Sequence, residues 1–533
     1  MEWPSLPLES WRPAQPAILV LALLAGFILL LWSSSHSKGS HAGEGTKEKL
    51  PPGPFIWPMV GCLPAVGFKH RHRTFYKLSK KYGPVMQVPI GAAKLIVVHG
   101  TAMAQELLKT QDAHFSSRPL SMTGAYLGFD HADVNLTPFN SNWQATRKAL
   151  SLHLLSPSKL AFQAAMRRYQ VCSSVSSLFH KASIEPGTVV NVSSFADRLI
   201  TNIIVRMLFG NRYRFDSNQA CSSQNPAALT IYKALQDFDP DLREGIFLWG
   251  ELNLADFFPV LAPLDLQGLE RRFRRLRKKL ENLFELIIQE HRNHPHEGEE
   301  EDDFIGMLLS QKQLSDKQLM GIMSNVLIAG IDTTARAIEW AMAELVANPE
   351  AIIKAQEELD QVVGKERLVN EMDIEGLPYL QAISKEVLRL HPSAPLDDPH
   401  LNEKPSSLGG YYIPANSIIL HNLWALGQDE SIWDNPTVFN PDRFLRNDEY
   451  RAMNVYGGDF RLLPFSSGRR RCPAYQFATL TLQHVVGVLL HAFDWSSSPK
   501  GTLNMEESDG IVVGLKHPLL LSVNARLSAM NAT

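Results

Sequence analysis

Apolar positions along the chain fall into a few distinct patterns. Residues 17–32 form an unbroken run of 16 uncharged, mostly aliphatic side chains. That is a little short of the roughly 20 residues that span a bilayer, and Pro16 and the serines after Trp32 extend it. A second apolar stretch runs from about Leu319 to Val346. Ser315 and Gln318 form a capping box at its start and Asn348-Pro349 closes it, so the pattern predicts one long helix. Within residues 380–390, Glu386 and Arg389 share a helical face, and His391-Pro392 stops that helix. Trp143 and Arg147, four apart, predict another helix on which indole and guanidinium point the same way. Residues 271–279 are strongly basic, with apolar residues at helical spacing through Ile288. They read as a solvated amphipathic helix or as a surface that touches a membrane or a partner.

Composition narrows the picture. A chain of 533 residues with 45% hydrophobic side chains buries a sizeable core, and by length alone would hold about three or four domains. The net charge of −3 gives no hint of nucleic acid. Four cysteines, Cys62, Cys172, Cys221 and Cys472, are too few and too scattered for a disulfide framework and fit a reducing compartment. The first three carry no assigned role, residues 297–303 read as an acidic surface loop, and no internal repeat is present.

The most informative chemistry lies in Pro464-Phe-Ser-Ser-Gly-Arg-Arg-Arg-Cys-Pro-Ala474. A thiolate that holds one face of a haem iron needs a tight turn around sulfur, donors that temper its charge, and cations for the haem propionates. Gly468 permits the turn, amides near Cys472 can donate to sulfur, and Arg470 supplies a planar fork for carboxylates. A thiolate ligand favours O–O cleavage. On the long predicted helix, Gly330 costs roughly 1 kcal/mol against Ala, a cost that makes sense if a flat cofactor lies against it. Thr333 can bond a carbonyl one turn back, and Asp332 beside it completes a proton relay. Pro441-Asp-Arg-Phe444 delivers Arg443 as a second arginine for Glu386, making a buried charge network with Arg389.

Together these motifs resemble the cytochrome P450 monooxygenases. They occur in that family's order, behind a proline-rich lead at Leu50-Pro-Pro-Gly-Pro54, and the resemblance covers nearly the whole chain after residue 50. Phrases such as Ile338-Glu-Trp-Ala-Met-Ala-Glu-Leu345 and Gly410-Tyr-Tyr-Ile-Pro414 are similar to the large plant microsomal branch that serves specialised metabolism. The resemblance implies a mainly α fold with a smaller β-rich part near the front, as a single large catalytic domain at residues 51–533. It implies haem b, with Cys472 as axial metal ligand and Phe465 near the sulfur. Arg470, Trp143, Arg147 and His400 would contact the propionates, and Asp332 and Thr333 would be catalytic. Glu386, Arg389 and Arg443 would be structural. Residues 117–142, 397–399 and 510–514 would face substrate.

Two departures stand out. Ala474 replaces the usual glycine two residues after the cysteine, and Asp397-Asp398 occupies a place where the family commonly puts apolar residues. At least one of those carboxylates should face solvent or recognise a cation or hydroxyl on the substrate, because burying it unpaired is costly.

The expected activity is hydroxylation or a related oxidation of a small organic molecule, a specialised metabolite. It would use O2 and electrons from NADPH through NADPH–cytochrome P450 reductase. A haem-thiolate isomerase or dehydratase without external electrons, or a membrane-anchored haem-binding sensor, is the alternative. Arg469, Arg471 and Lys148 are expected to meet an acidic reductase face. Residues 1–16 are read as a short luminal terminus, 17–33 as an uncleaved transmembrane anchor and 34–50 as a linker. Lys38, Lys47 and Lys49 follow the apolar run while Arg12 alone precedes it, so a single-pass endoplasmic reticulum protein with a cytosolic catalytic domain is expected. A cleaved signal peptide is the other reading, with a weakly basic start. With a cytosolic domain the sequons at Asn135, Asn191 and Asn531 stay unmodified.

Overall fold

The long apolar stretch folds as one 32-residue helix, Asp316–Ala347. Ser315 and Gln318 close the expected capping box at its start, satisfying amides that the first turn leaves unpaired. The helix runs through the largest hydrophobic core, packed along Val192–Phe209 and against the helices Pro378–Leu390 and Tyr475–Ala492. The computed structural model describes residues 49–210, 226–294, 303–498 and 503–527. The anchor and nearly all of the linker, Cys221, Asn531 and most of the acidic run lie outside them. Among the described residues no helix is long and apolar enough to cross a membrane.

The basic stretch lies within the helix Leu269–Asn293. Phe273, Leu276, Leu280, Phe284 and Ile287 are buried against the main core, and each such side chain stabilises by about 1.5–3 kcal/mol. The outer face is tied down by ion pairs: Arg272 to Glu244 at 2.6 Å, Lys279 to Asp241 at 2.7 Å, and Arg274 to Glu270. The helix is amphipathic, as its spacing predicts.

Among the described residues nine short strands accompany the helices: β1 (Val85–Gln87), β2 (Lys94–Val98), β3 (Thr188–Asn191), β4 (His400–Asn402), β5 (Ser406–Leu408), β6 (Tyr411–Ile413), β7 (Ser417–His421), β8 (Phe493–Ser497) and β9 (Leu520–Ala525). They make a four-stranded sheet in the order β1-β2-β7-β4, a three-stranded sheet β3-β9-β8 and the β5-β6 pair. The β-rich part is therefore not confined to the front of the chain. β2 pairs in parallel with β7, a partner from beyond residue 400, because the intervening helices bring the two segments side by side.

Glu386, Arg389 and Arg443 form the expected network, and all three are essentially inaccessible to solvent. Arg389 reaches both Glu386 oxygens, at 2.7 and 2.8 Å, and Arg443 Nε donates to Glu386 Oε1 at 2.9 Å. The spare guanidinium nitrogens are capped by the carbonyls of Gly427, Pro436, Asp434 and Val438. Every charge here is paired and hydrogen-bonded, the condition under which a buried charge network is tolerated. It locks the helix Pro378–Leu390 onto the segment that leads to the cysteine loop.

Candidate functional site

Cys472 ends a tight turn just ahead of the helix Tyr475–Ala492. Its amide donates to the Phe465 carbonyl at 3.0 Å, and the Arg471 amide to the Gly468 carbonyl at 3.2 Å. Gly468 has φ +68°, and a Cβ there would come within 2.4 Å of the Leu108 carbonyl oxygen, so glycine is required on both counts. Ser466 also takes a positive φ, +59°. It is held there by its hydroxyl, which donates to Asp397 Oδ2. Burial pushes the Cys472 thiol up, while the Ala474 amide, Arg147 and Arg471 oppose it by favouring the thiolate. Ala474 itself is partly buried and packs on the main core.

Arginines gather beside this loop in excess of their counter-charges. Arg470 donates from Nε to the Ser116 carbonyl at 2.6 Å and from Nη2 to Thr137 at 2.7 Å, while its buried Nη1 has no partner. Burial, and after it the Arg118 charge, push this guanidinium down to about 8, with Arg147 adding and Asp133 and Asp398 opposing. Since an arginine gives up its proton so reluctantly, the geometry describes a place that wants an anion. Arg147 is likewise lowered, first by burial, and its Nη2 donates to the Arg471 carbonyl at 2.5 Å. His400, in β4, bonds the Phe115 carbonyl at 2.8 Å through Nδ1 and faces Asp397 at 3.5 Å through Nε2.

Trp143 departs from its expected use. Its indole N–H donates to the Val134 carbonyl at 2.9 Å rather than to a carboxylate shared with Arg147, and its ring carries Arg470 at 4.3 Å. Arg118 lies in the segment expected to face substrate, but its place among the arginines is not legible in the sequence, since a lone arginine in Phe115-Ser-Ser-Arg-Pro119 shows no periodicity. It is 2% exposed and donates to the carbonyls of Asn135, Asp398 and Pro399.

Across the core, Thr333 Oγ1 donates to the Ala329 carbonyl at 2.7 Å, as expected, and the Thr333 carbonyl accepts from Ser393 Oγ. Burial raises the Asp332 carboxyl to about 6 despite the opposing charge of Arg336. At Gly330 an added Cβ would meet no neighbour nearer than Ile204 Cδ1, at 3.4 Å.

A cavity of about 240 Å³ borders the site. Its lining draws on all three segments expected to face substrate, including Leu136, Asp398, Ile511 and Val513, and adds residues near Arg71 and Trp249. It meets the cysteine side through Asp397–Pro399 rather than touching Cys472 or Thr333 directly. The acidic pair divides its work there. Asp397 is held down at about 2: burial works to raise it, but His400, Arg118 and Ser466 outweigh burial. Asp398 accepts from Asn135 Nδ2 at 2.8 Å through Oδ2, while its buried Oδ1 has no partner. The Asn135 and Asn191 side chains of two sequons are both engaged, Asn191 capping the helix Val192–Phe209.

A thiol in a turn ahead of a helix, an orphaned guanidinium nitrogen among three crowded arginines, and a glycine gap on the facing helix fit an iron porphyrin with two carboxylates. The family model described as Cytochrome P450 matches residues 51–523. A flavonoid 3'-monooxygenase of Arabidopsis thaliana is 34% identical over 96% of this chain and 97% of its own length. Cytochrome P450 CYP736A12 of Panax ginseng is 37% identical over 89% of this chain and 93% of its own. A zebra fish cytochrome P450 structure with progesterone superposes with a TM-score of 0.69 at 24% identity, covering 85% of this chain and 99% of that one.

Proposed function

The chain belongs to the cytochrome P450 family, and from that membership we propose a specific reading of its site, substrate class and setting. It is a haem monooxygenase that receives electrons from a reductase. The bound haem supplies the redox chemistry that activates dioxygen. Cys472 would hold the haem iron through its sulfur, on a turn closed by its own amide to the Phe465 carbonyl and by the Arg471 amide to the Gly468 carbonyl. Arg470, Arg147 and Arg118 would receive the propionates, with Trp143 supporting Arg470 through its ring, whereas both ring nitrogens of His400 are committed to Phe115 and Asp397. Asp332, raised to about 6, exchanges protons near neutral pH, and Thr333 presents a hydroxyl beside it. The observation that carries this assignment is the unpartnered, buried Nη1 of Arg470 in a cluster of cations next to the cysteine turn.

The substrate is a small specialised metabolite that carries a hydrogen-bond donor, a polyhydroxylated phenolic of the flavonoid kind. A flavonoid 3'-monooxygenase of Arabidopsis thaliana is among the chain's relatives. In this chain Asp398 offers one free, buried carboxylate oxygen at the wall of the cavity, and leaving such an oxygen unpaired costs about 1–3 kcal/mol or more. A phenolic hydroxyl satisfies it. Spectral titration with flavanones of increasing hydroxylation tests this. Tighter binding with more hydroxyls, and an affinity loss of about 10-fold in Asp398→Asn, is expected from a charge-assisted bond. Equal affinities in both proteins would refute it.

The setting is a membrane surface, the endoplasmic reticulum for an anchored chain, with NADPH–cytochrome P450 reductase as electron donor. Supporting this, Phe68 and Leu120 at the cavity rim are 56% and 72% exposed. Phe55 and Trp57 ahead of them, and Val260, Leu264 and Leu266 beyond the helix Asp239–Gly250, are also exposed. Phe68 and Leu120 lie together on the cavity lining, where a contiguous apolar rim would suit a membrane surface.

A further inference from the structure

A charge cluster lies behind Asp332. Asp332, Arg336 and Glu339 share one face of the helix Asp316–Ala347, at i, i+4 and i+7. Arg336 donates from Nη1 to Glu339 Oε1 at 2.6 Å, pairs through Nη2 with Asp197 Oδ1, and places Nε 3.4 Å from Asp332 Oδ1. That Nε has no hydrogen-bond partner, and its side chain is 11% exposed. One buried guanidinium thus faces three carboxylates. Asp197, from the helix Val192–Phe209, has a further partner in Arg243 at 3.2 Å, which comes from the helix Asp239–Gly250 and is 60% exposed. These four, Arg336 and Glu339 on its own helix and Asp197 and Arg243 from the two others, are the charged groups that face Asp332.

The same cluster seats the loop that lines the cavity. The Leu515 amide donates to Glu339 Oε2 at 3.0 Å. A Cβ at Gly514 would lie 2.3 Å from Arg336 Cδ and 2.8 Å from Glu339 Oε2, so the loop backbone rests directly on the pair. Val513, whose carbonyl accepts from Trp340 Nε1, lines the cavity. Ser193 closes the arrangement, donating its hydroxyl to Glu339 and accepting the Leu519 amide.

We propose that Arg336 is a positioning residue for Asp332: it neutralises the surrounding carboxylates, sets its charge 3.4 Å from Asp332 Oδ1, and does so from the platform that carries the cavity loop. The inference rests on Asp332 being the proton-exchanging carboxyl. Like-charge crowding is the physical reason. Without the guanidinium, Asp332, Asp197 and Glu339 would face one another uncompensated, and at least one would hold its proton into the neutral range.

Infrared titration of the haem-loaded full-length protein reads this directly, with the Asp332 carboxyl band identified by its loss in Asp332→Asn. The expected wild-type midpoint is about 6. Arg336→Gln should move it up by about 1–3 pH units, the usual effect of one close cation. Arg336→Lys, which keeps the charge, should restore most of the shift, and Asp197→Asn should move it down. Opposite directions in the Arg336→Gln and Asp197→Asn proteins are a signature that general loosening would not give. A midpoint unmoved in Arg336→Gln, or moved the same way in both, overturns the proposal. If Arg336→Gln does not fold, Asp197→Asn decides alone: a downward shift supports and none refutes. Failure of the underlying reading is separate. It would show as an unchanged ratio of product to NADPH in Asp332→Asn while the titration behaves as described.

Discussion

Ser466 donates its hydroxyl to Asp397, tying the cysteine loop to the segment that borders the cavity. The contact does two jobs. It stabilises a positive φ at a residue that is not glycine, and it keeps Asp397 ionised inside the protein together with His400 and Arg118. The carboxyl sits at about 2 in the folded chain, against about 3.9 when unfolded. Its stabilising contribution is therefore complete above about pH 4 and is lost as pH falls through about 2. Asp397→Asn should be less stable than wild type by about 2–3 kcal/mol at pH 6. The difference should shrink steadily below pH 4. Denaturant unfolding across that range checks it, and a pH-independent difference would argue against the ionised pair.

Replacing Cys472 leaves the turn but removes its sulfur. Carbon monoxide added to the reduced wild-type protein should give the strongly red-shifted Soret band of thiolate-ligated haem, and Cys472→Ser should lack it. Retention of that band in the mutant would reassign the ligand.

Thr333→Ala deletes a hydroxyl that bonds the Ala329 carbonyl at 2.7 Å. The backbone and haem pocket should survive. NADPH consumption should continue while product per NADPH falls by about 10-fold or more, within the range typical of a lost general acid–base partner, with hydrogen peroxide making up the difference. An unchanged ratio would remove Thr333 from proton delivery.

Lys148 is exposed, and Arg469 keeps 46% of its side chain in solvent while pairing with Asp112 at 3.3 Å. Arg471 is less available, donating to the Tyr456 carbonyl and lying over the Tyr475 ring. Charge reversal at Lys148 or Arg469 should slow reduction by an acidic partner, and the effect should fade as salt rises. Stopped-flow reduction at two ionic strengths tests it. A loss that ignores salt and brings loss of haem would mean that these cations serve only the fold.

Short-range spacing was enough for much of this protein. The long helix with its Ser315 cap, the Glu386–Arg389 pair, the Gly468 turn before Cys472 and the Thr333 bond to Ala329 all follow from residues within a few positions of one another. Helical periodicity, capping and turn chemistry are local properties, so the amino-acid order by itself determined them. For Asp397-Asp398 the desolvation argument called for at least one carboxylate to face solvent or substrate, whereas Asp397 finds its partners inside the protein, in Ser466, His400 and Arg118.

Tertiary structure alone decided which partner each side chain received. Ser466 and Asp397 are 69 positions apart, Arg336 and Asp197 139, and Asn135 and Asp398 263. These pairings settle that Asp397 is spent inside the protein and that Asp398 keeps a free oxygen. They also gather Arg118 with Arg470 and Arg147, and send the Trp143 indole to Val134. No periodicity encodes such contacts. They arise when distant helices and loops close on one core, where each buried polar group must take whatever complementary atom the packing brings within reach.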